Sequence, residues 1–233
     1  MSRLPNLRRD ELDANGQAVW DSIVGSRGAA LISEQGSLVG PFNAFVHAPD
    51  VGRHLSSLGR VLRFETSIER RLSEVAIITV AARWKAEFEW WAHARMAREH
   101  GVPEAVVDAI GRGDDPPFEA ADERTIYTAG RQLTEAGRLS DGTYHAVSQI
   151  LGDAGTVEFV ALCGYYSLVS FLLNAFAVPL PPDAAPMWNA HDGKLKKMIF
   201  SGISGPPRHP GGGRGPQVSR ARTRSMTGAK ASM

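Results

Sequence analysis

Three residues combine the types and spacing that proton-transfer chemistry needs. Glu74 opens into the run Val75-Ala76-Ile77-Ile78-Thr79-Val80-Ala81-Ala82, which is apolar on every face of a helix. Such a helix belongs at the centre of a core. A carboxylate inside it is costly unless it is paired or shifted towards neutral. One reading makes Glu74 a general acid or base with a raised pKa. The other places it near the start of its helix, where the dipole favours it and water reaches it. Glu89 and His93 follow, four residues apart, and so share one helical face. A carboxylate at that distance can fix the histidine tautomer and raise its pKa. The plainer reading is a salt pair on an exposed face. A metal would need a third ligand, which Glu74 could supply only from across a hairpin, and no metal site is expected.

The elements that must position these residues are helices. Residues 67–84 and 87–100 read as the two arms of a helical hairpin joined at Trp84-Lys85-Ala86, with Gly101 closing the second arm. Before it come a helix over residues 10–24, weakened by Asn15-Gly16 and so able to begin as late as Gln17, and a short helix between Pro41 and Pro49. A further helix spans residues 51–65 with Asp50 as its cap. After it come helices over 104–111, 120–136 and 141–151, the last capped by Ser140. A long apolar helix then runs from Asp153 or Thr156 to Val178 and stops at Pro179. A final short helix is expected within 187–200. No alternating run bounded by turn residues suggests a strand. The fold class is therefore all-α, a single helical-bundle domain over residues 1–200.

Around the hairpin, Trp84, Trp90 and Trp91 are core candidates, and Trp90, next to Glu89, is the one expected to wall a substrate pocket. Tyr166, Ser170 and Asn174 form a polar stripe on the long helix and need partners. They face either the same cavity or neighbouring helices. Asn43 is a weaker pocket candidate, and His47 beside it reads as structural. Cys163 has no basic neighbour and no second cysteine in the chain, which describes a buried inert thiol.

With 43% apolar and 22% charged residues, the composition is that of an ordinary globular protein. One cysteine excludes an intrachain disulfide and fits the cytoplasm. The first residues lack the apolar stretch of a signal peptide. The uncharged segment 159–182 is read as a core helix, at a subunit contact, and no membrane span is expected. Residues 201–233 hold six basic residues and no acidic one, which takes the remaining 200 residues from the chain's +1 to −5. This tail, rich in Gly, Pro and Arg, is expected to be disordered, and specific nucleic-acid binding is not expected of it. No glycine-rich phosphate loop or Gly-x-Ser-x-Gly elbow is present.

The hairpin resembles the carboxymuconolactone decarboxylase family, within the superfamily of alkylhydroperoxidase D-like proteins. Peroxidase members carry a Glu on one helix and then C-x-x-C-x-x-x-H. Here Glu74 is followed by Ala86, Glu89 and His93, which keeps the Glu and His and replaces both cysteines. Glu89-Trp90-Trp91-Ala92-His93 looks like the E-W-x-x-H pattern of the decarboxylase-like branch. Gly40-Pro41-Phe42-Asn43-Ala44 and the stretch from Gly164 to Pro179 also look like that branch. The resemblance implies a homo-oligomer, trimer or hexamer, and a small-molecule substrate. It implies decarboxylation of a muconolactone-like acid by acid–base chemistry, with no redox cofactor. Without the two cysteines, thiol peroxidase activity is not expected. Glu74, Glu89 and His93 would be catalytic, and Asn43, Trp90, Tyr166 and Asn174 would line the pocket. Two carboxylates at the site would repel an acidic substrate unless a cation answers them, and Arg83 is the candidate on the hairpin. Isomerisation or lactone hydrolysis of a neutral substrate, or a family member that has lost activity, stays open.

Overall fold

The structure, a computed structural model, describes residues 2–188. Eight α-helices make up nearly all of its regular structure, and among the described residues there are only two isolated β-bridges and no strand. They are α1 (Ala14–Arg27), α2 (Phe42–His47), α3 (Pro49–Phe64), α4 (Arg70–Trp84), α5 (Glu87–Glu99), α6 (Glu104–Arg112), α7 (Ala121–Ala136) and α8 (Asp141–Ala175). The expected final helix within 187–200 and the basic tail lie essentially outside the described residues.

α4 is the axis of the bundle. It is buried without a break from Leu72 to Ala81 and packs against α5, α6, α7 and α8. Side chains such as Ile77 and Ile78, at 1% and 0% exposure, contribute on the order of 1.5–3 kcal/mol each by leaving water. Arg71 ties α4 to α7 through Asp122 at 2.7 Å and the buried Glu123 at 2.6 Å. A second, smaller cluster of Val19, Trp20, Ile23, Phe45 and Val46 seats α1 and α2, with Leu55 of α3 touching both clusters.

The hairpin turn is tight. Lys85 takes the left-handed conformation (φ 52, ψ 41), and the N–H of Ala86 returns to the Ala81 carbonyl at 3.0 Å, closing α4 in a Schellman-type end. α5 begins two residues later. α8 is helical on both sides of Gly152, whose backbone (φ 68, ψ −179) breaks the helix where two separate helices are expected from the sequence. Its apolar second half is long enough by composition to cross a membrane. Yet Phe159, Leu162, Tyr166, Val169 and Leu173 are buried, as in a core helix packed on α4 and α7.

Several helix starts differ from the expected ones. α1 begins at Ala14 because Asp13 caps it, its side chain accepting from the Gly16 N–H at 2.8 Å. Asn15-Gly16 then falls in the first turn, where those N–H groups lack helical partners anyway. Pro49 rather than Val51 begins α3, so Asp50 lies inside the first turn and pairs with Arg53. Ser67 does not cap α4, which starts at Arg70 after Glu69. Its N–H and hydroxyl instead donate to Glu158 of α8. α8 ends at Ala175, before Val178, where Ala177 turns left-handed.

Candidate functional site

Glu74 lies on the second turn of α4, and Glu89 and His93 on the facing side of α5. The hairpin turn brings the two arms together so that the three side chains form one line. His93 Nδ1–H donates to Glu74 Oε2 at 2.6 Å, and His93 Nε2 stands 3.3 Å from Glu89 Oε1. All three are buried, with Glu74 at 0%, His93 at 2% and Glu89 at 5% exposure. The exposed salt pair is thereby replaced by an internal relay.

The electrostatics run opposite to the raised carboxyl expected for a buried Glu74. Burial pushes the Glu74 carboxyl up, but the charge and hydrogen bond of His93, with help from Arg70 and Arg63, outweigh it and hold the carboxyl below its ordinary value. Burial pushes the His93 ring down, yet Glu74 and Glu89 together raise it above its ordinary value. The two directions favour an imidazolium on His93 beside a Glu74 carboxylate over a proton held on Glu74.

Arg70 was readable from its spacing, four residues before Glu74 on the same helix. Its Nε is 3.5 Å from Glu74 Oε1, and its guanidinium also donates to the Arg63 carbonyl at the end of α3. Arg27 comes from α1 and Arg63 from the end of α3, and nothing in their local pattern marks them. Arg83, the expected cation, is exposed and lies over the Trp84 ring at 4.8 Å.

The proposed lining residues separate. Tyr166 belongs to the relay, its ring edge-to-face with His93 at 5.1 Å. Trp90 is buried beside the relay but turns towards Trp188, at 5.3 Å, and α6. Asn174 does not reach the site. Its amide donates to the Trp84 carbonyl at 2.7 Å, satisfying the C-terminus of α4. Ser170 is fully buried, and its hydroxyl has no hydrogen-bond partner among the described residues. Asn43 accepts from the Leu7 N–H at 3.2 Å and donates to the Pro5 carbonyl at 3.0 Å, so it pins the N-terminal segment. His47 does the same through the Pro5 carbonyl at 2.9 Å.

Asn43 also borders a cavity of about 690 Å³ that includes Leu4, Phe88, Trp91, Phe176 and Val178. That volume suits a small molecule. No relay residue lines it. The helical phase of α5 explains this, since Phe88 and Trp91 fall on one side of the helix and Glu89 and His93 on another.

Cys163 is buried on α8, and burial pushes its thiol up to about 12. Ala86 and Glu89 occupy the two positions at which the resemblance places cysteines, so the hairpin itself holds no thiol.

No protein-family model and no curated protein matches the sequence. Among solved structures, the chain is similar to an uncharacterised peroxidase-related protein from Ralstonia eutropha JMP134, described as an alkylhydroperoxidase AhpD core. The TM-score is 0.62 at 14% identity, over 78% of this chain and 93% of that one. The all-α fold is thus AhpD-like, as the hairpin residues led one to expect.

Proposed function

We propose that this protein is a cofactor-free acid–base enzyme of the carboxymuconolactone decarboxylase type, acting on a small unsaturated organic acid. The observation that carries the reading is the buried line Glu74–His93–Glu89, with its 2.6 Å bond at Nδ1. Glu74 fixes the ring and its tautomer. Nε2 is then the nitrogen that exchanges a proton with substrate, and Glu89 is the base that takes up or returns it.

In the decarboxylation, the bond between the substrate carbon and its carboxylate breaks and CO2 leaves. The electron pair moves into the conjugated lactone as an enolate. The proton on His93 Nε2 is transferred to carbon, and solvent reprotonates the ring through Glu89. Thiol peroxidase chemistry is not part of the proposal, because the one thiol is buried and its ionisation is suppressed. A homo-oligomer, trimer or hexamer, belongs to the same proposal. Its support is an exposed apolar stripe on α8 made of Val157, Val160, Leu168 and Phe171.

The test is CO2 release from a carboxylated muconolactone. His93→Gln is expected to lower kcat by about 10²–10⁴-fold, the usual worth of a general acid. Turnover unchanged in a folded His93→Gln protein would refute the assignment, as would peroxide reduction abolished by Cys163→Ser.

A further inference from the structure

Two guanidinium groups with no carboxylate at ion-pair distance among the described residues stand on the α3 side of the relay, and one of them, Arg63, acts on the Glu74 carboxyl only from further away. Arg27, at the end of α1, reaches onto α3 and donates to the Ser56 hydroxyl at 3.3 Å and the Ser56 carbonyl at 3.0 Å. Arg63 lies two turns further along α3 on the same face, and its Nη2 donates to the Met96 sulfur on α5 at 2.8 Å. Its Nε is buried and has no hydrogen-bond partner among the described residues. Between these two positions is Gly59. The Tyr165 hydroxyl sits so close to it that a Cβ there would lie 2.2 Å from the oxygen. Tyr165 stacks edge-to-face on Tyr166 at 5.4 Å, and Tyr166 on His93 at 5.1 Å.

Neither Arg27 nor Arg63 forms an ion pair among the described residues, whereas the neighbouring Arg60 is paired with Glu65 and Arg70 with Glu74. Two like charges on half-buried side chains, one of them with a buried and unpartnered N–H, are unfavourable together, and an anion between them relieves both. Burial pushes the Tyr165 hydroxyl well up, against the opposing pull of Arg27 and Arg63, so it remains a protonated donor.

We propose that Arg27, Arg63 and the Tyr165 hydroxyl form a carboxylate-binding subsite that seats an acidic substrate beside His93. Planar guanidinium groups match a carboxylate through paired N–H donors, which a lysine could not do. The subsite supplies the cation that two relay carboxylates require of an acidic substrate. Its place in catalysis rests on the reading of Glu74–His93–Glu89 as the reacting centre, while its binding of carboxylates does not.

The probe is malonate, titrated into the full-length protein by calorimetry, with inorganic phosphate as a second anion. Saturable malonate binding is expected, weakened about tenfold or more in Arg63→Gln and in Arg27→Gln, and unchanged in Arg83→Gln. Tyr165→Phe, which removes one oxygen, is expected to weaken it severalfold and serves as the milder variant should an arginine replacement fail to fold. Malonate affinity unaltered in Arg63→Gln, Arg27→Gln and Tyr165→Phe overturns the subsite, and so does phosphate binding more tightly than malonate. His93→Gln separates the two proposals. Malonate binding retained there, with no lactone turnover even by the native protein, sinks the reaction and leaves the subsite standing. Normal turnover with an unchanged KM in Arg63→Gln and Arg27→Gln sinks the subsite alone.

Discussion

Replacing Glu74 by Gln keeps the size of the side chain and both polar atoms, so it removes charge from the relay with little cavity cost. Glu74 is fully buried, its Oε2 accepts from His93 at 2.6 Å, and its Oε1 lies 3.5 Å from Arg70. Removing one partner of a buried ion pair typically costs about 3–5 kcal/mol. In a domain of this size, each kcal/mol lowers Tm by about 2–4 °C, so the expected drop is roughly 6–20 °C.

The cost depends on pH in a direction that can be derived. The His93 ring is raised above its ordinary 6.5. Its contribution is complete below that value and is lost as the pH climbs through the higher folded value. The Glu74 carboxyl is lowered below its ordinary 4.5. Its contribution is complete above that value and is lost as the pH falls through the lower folded value. The charged pair is therefore at full strength between 4.5 and 6.5. Urea unfolding of native and Glu74→Gln protein at about pH 5.5 and about pH 9.5 tests this. The penalty at the higher pH should approach the roughly 1.5–3 kcal/mol of a hydrogen bond to a charged group. A penalty equal at both pH values, or below about 1 kcal/mol at the lower one, would refute the buried imidazolium–carboxylate pair.

Gly152→Ala should destabilise by about 1–3 kcal/mol in urea unfolding, because φ 68 with ψ −179 is a conformation that side chains avoid; a neutral result would mean that the α8 break relaxes freely. Gly59→Ala should cost about 1–3 kcal/mol by driving a methyl group into the Tyr165 hydroxyl and ring. Adding Tyr165→Phe should return part of that loss, and a double variant no better than the single one would discount the contact. Cys163 should resist an aromatic disulfide reagent in the native protein and react in full once unfolded, since it is buried and its thiol is pushed up to about 12. Rapid labelling of native protein would contradict this.

Local pattern sufficed for the residues whose signal is local. Glu74 stands out against its apolar run, Glu89 and His93 announce a shared face by their spacing, and Asp153 after Gly152 marks the break in α8. What escaped depends on partners distant along the chain. Trp90 and Trp91 are adjacent, and only the packing of α5 decides that Trp90 is buried while Trp91 borders the cavity. The Asn174 amide finds a carbonyl 90 positions earlier, and Arg27 and Arg63 approach the Tyr165 region from two separate helices. An arginine on an amphipathic helix reads as solvated surface until the helix next to it is known.

The Lys85-Ala86 turn sets the rotational phase of α5 as well as its direction. An α-helix advances about 100° per residue. One residue inserted at that turn, with α5 otherwise held in place, would put Phe88 where Glu89 stands and Ala92 where His93 stands. Glu74 would then be buried against a methyl group, and the relay would be gone with every one of its residues still in the chain. The length of a two-residue connection thus governs the chemistry as strictly as the identity of the histidine does.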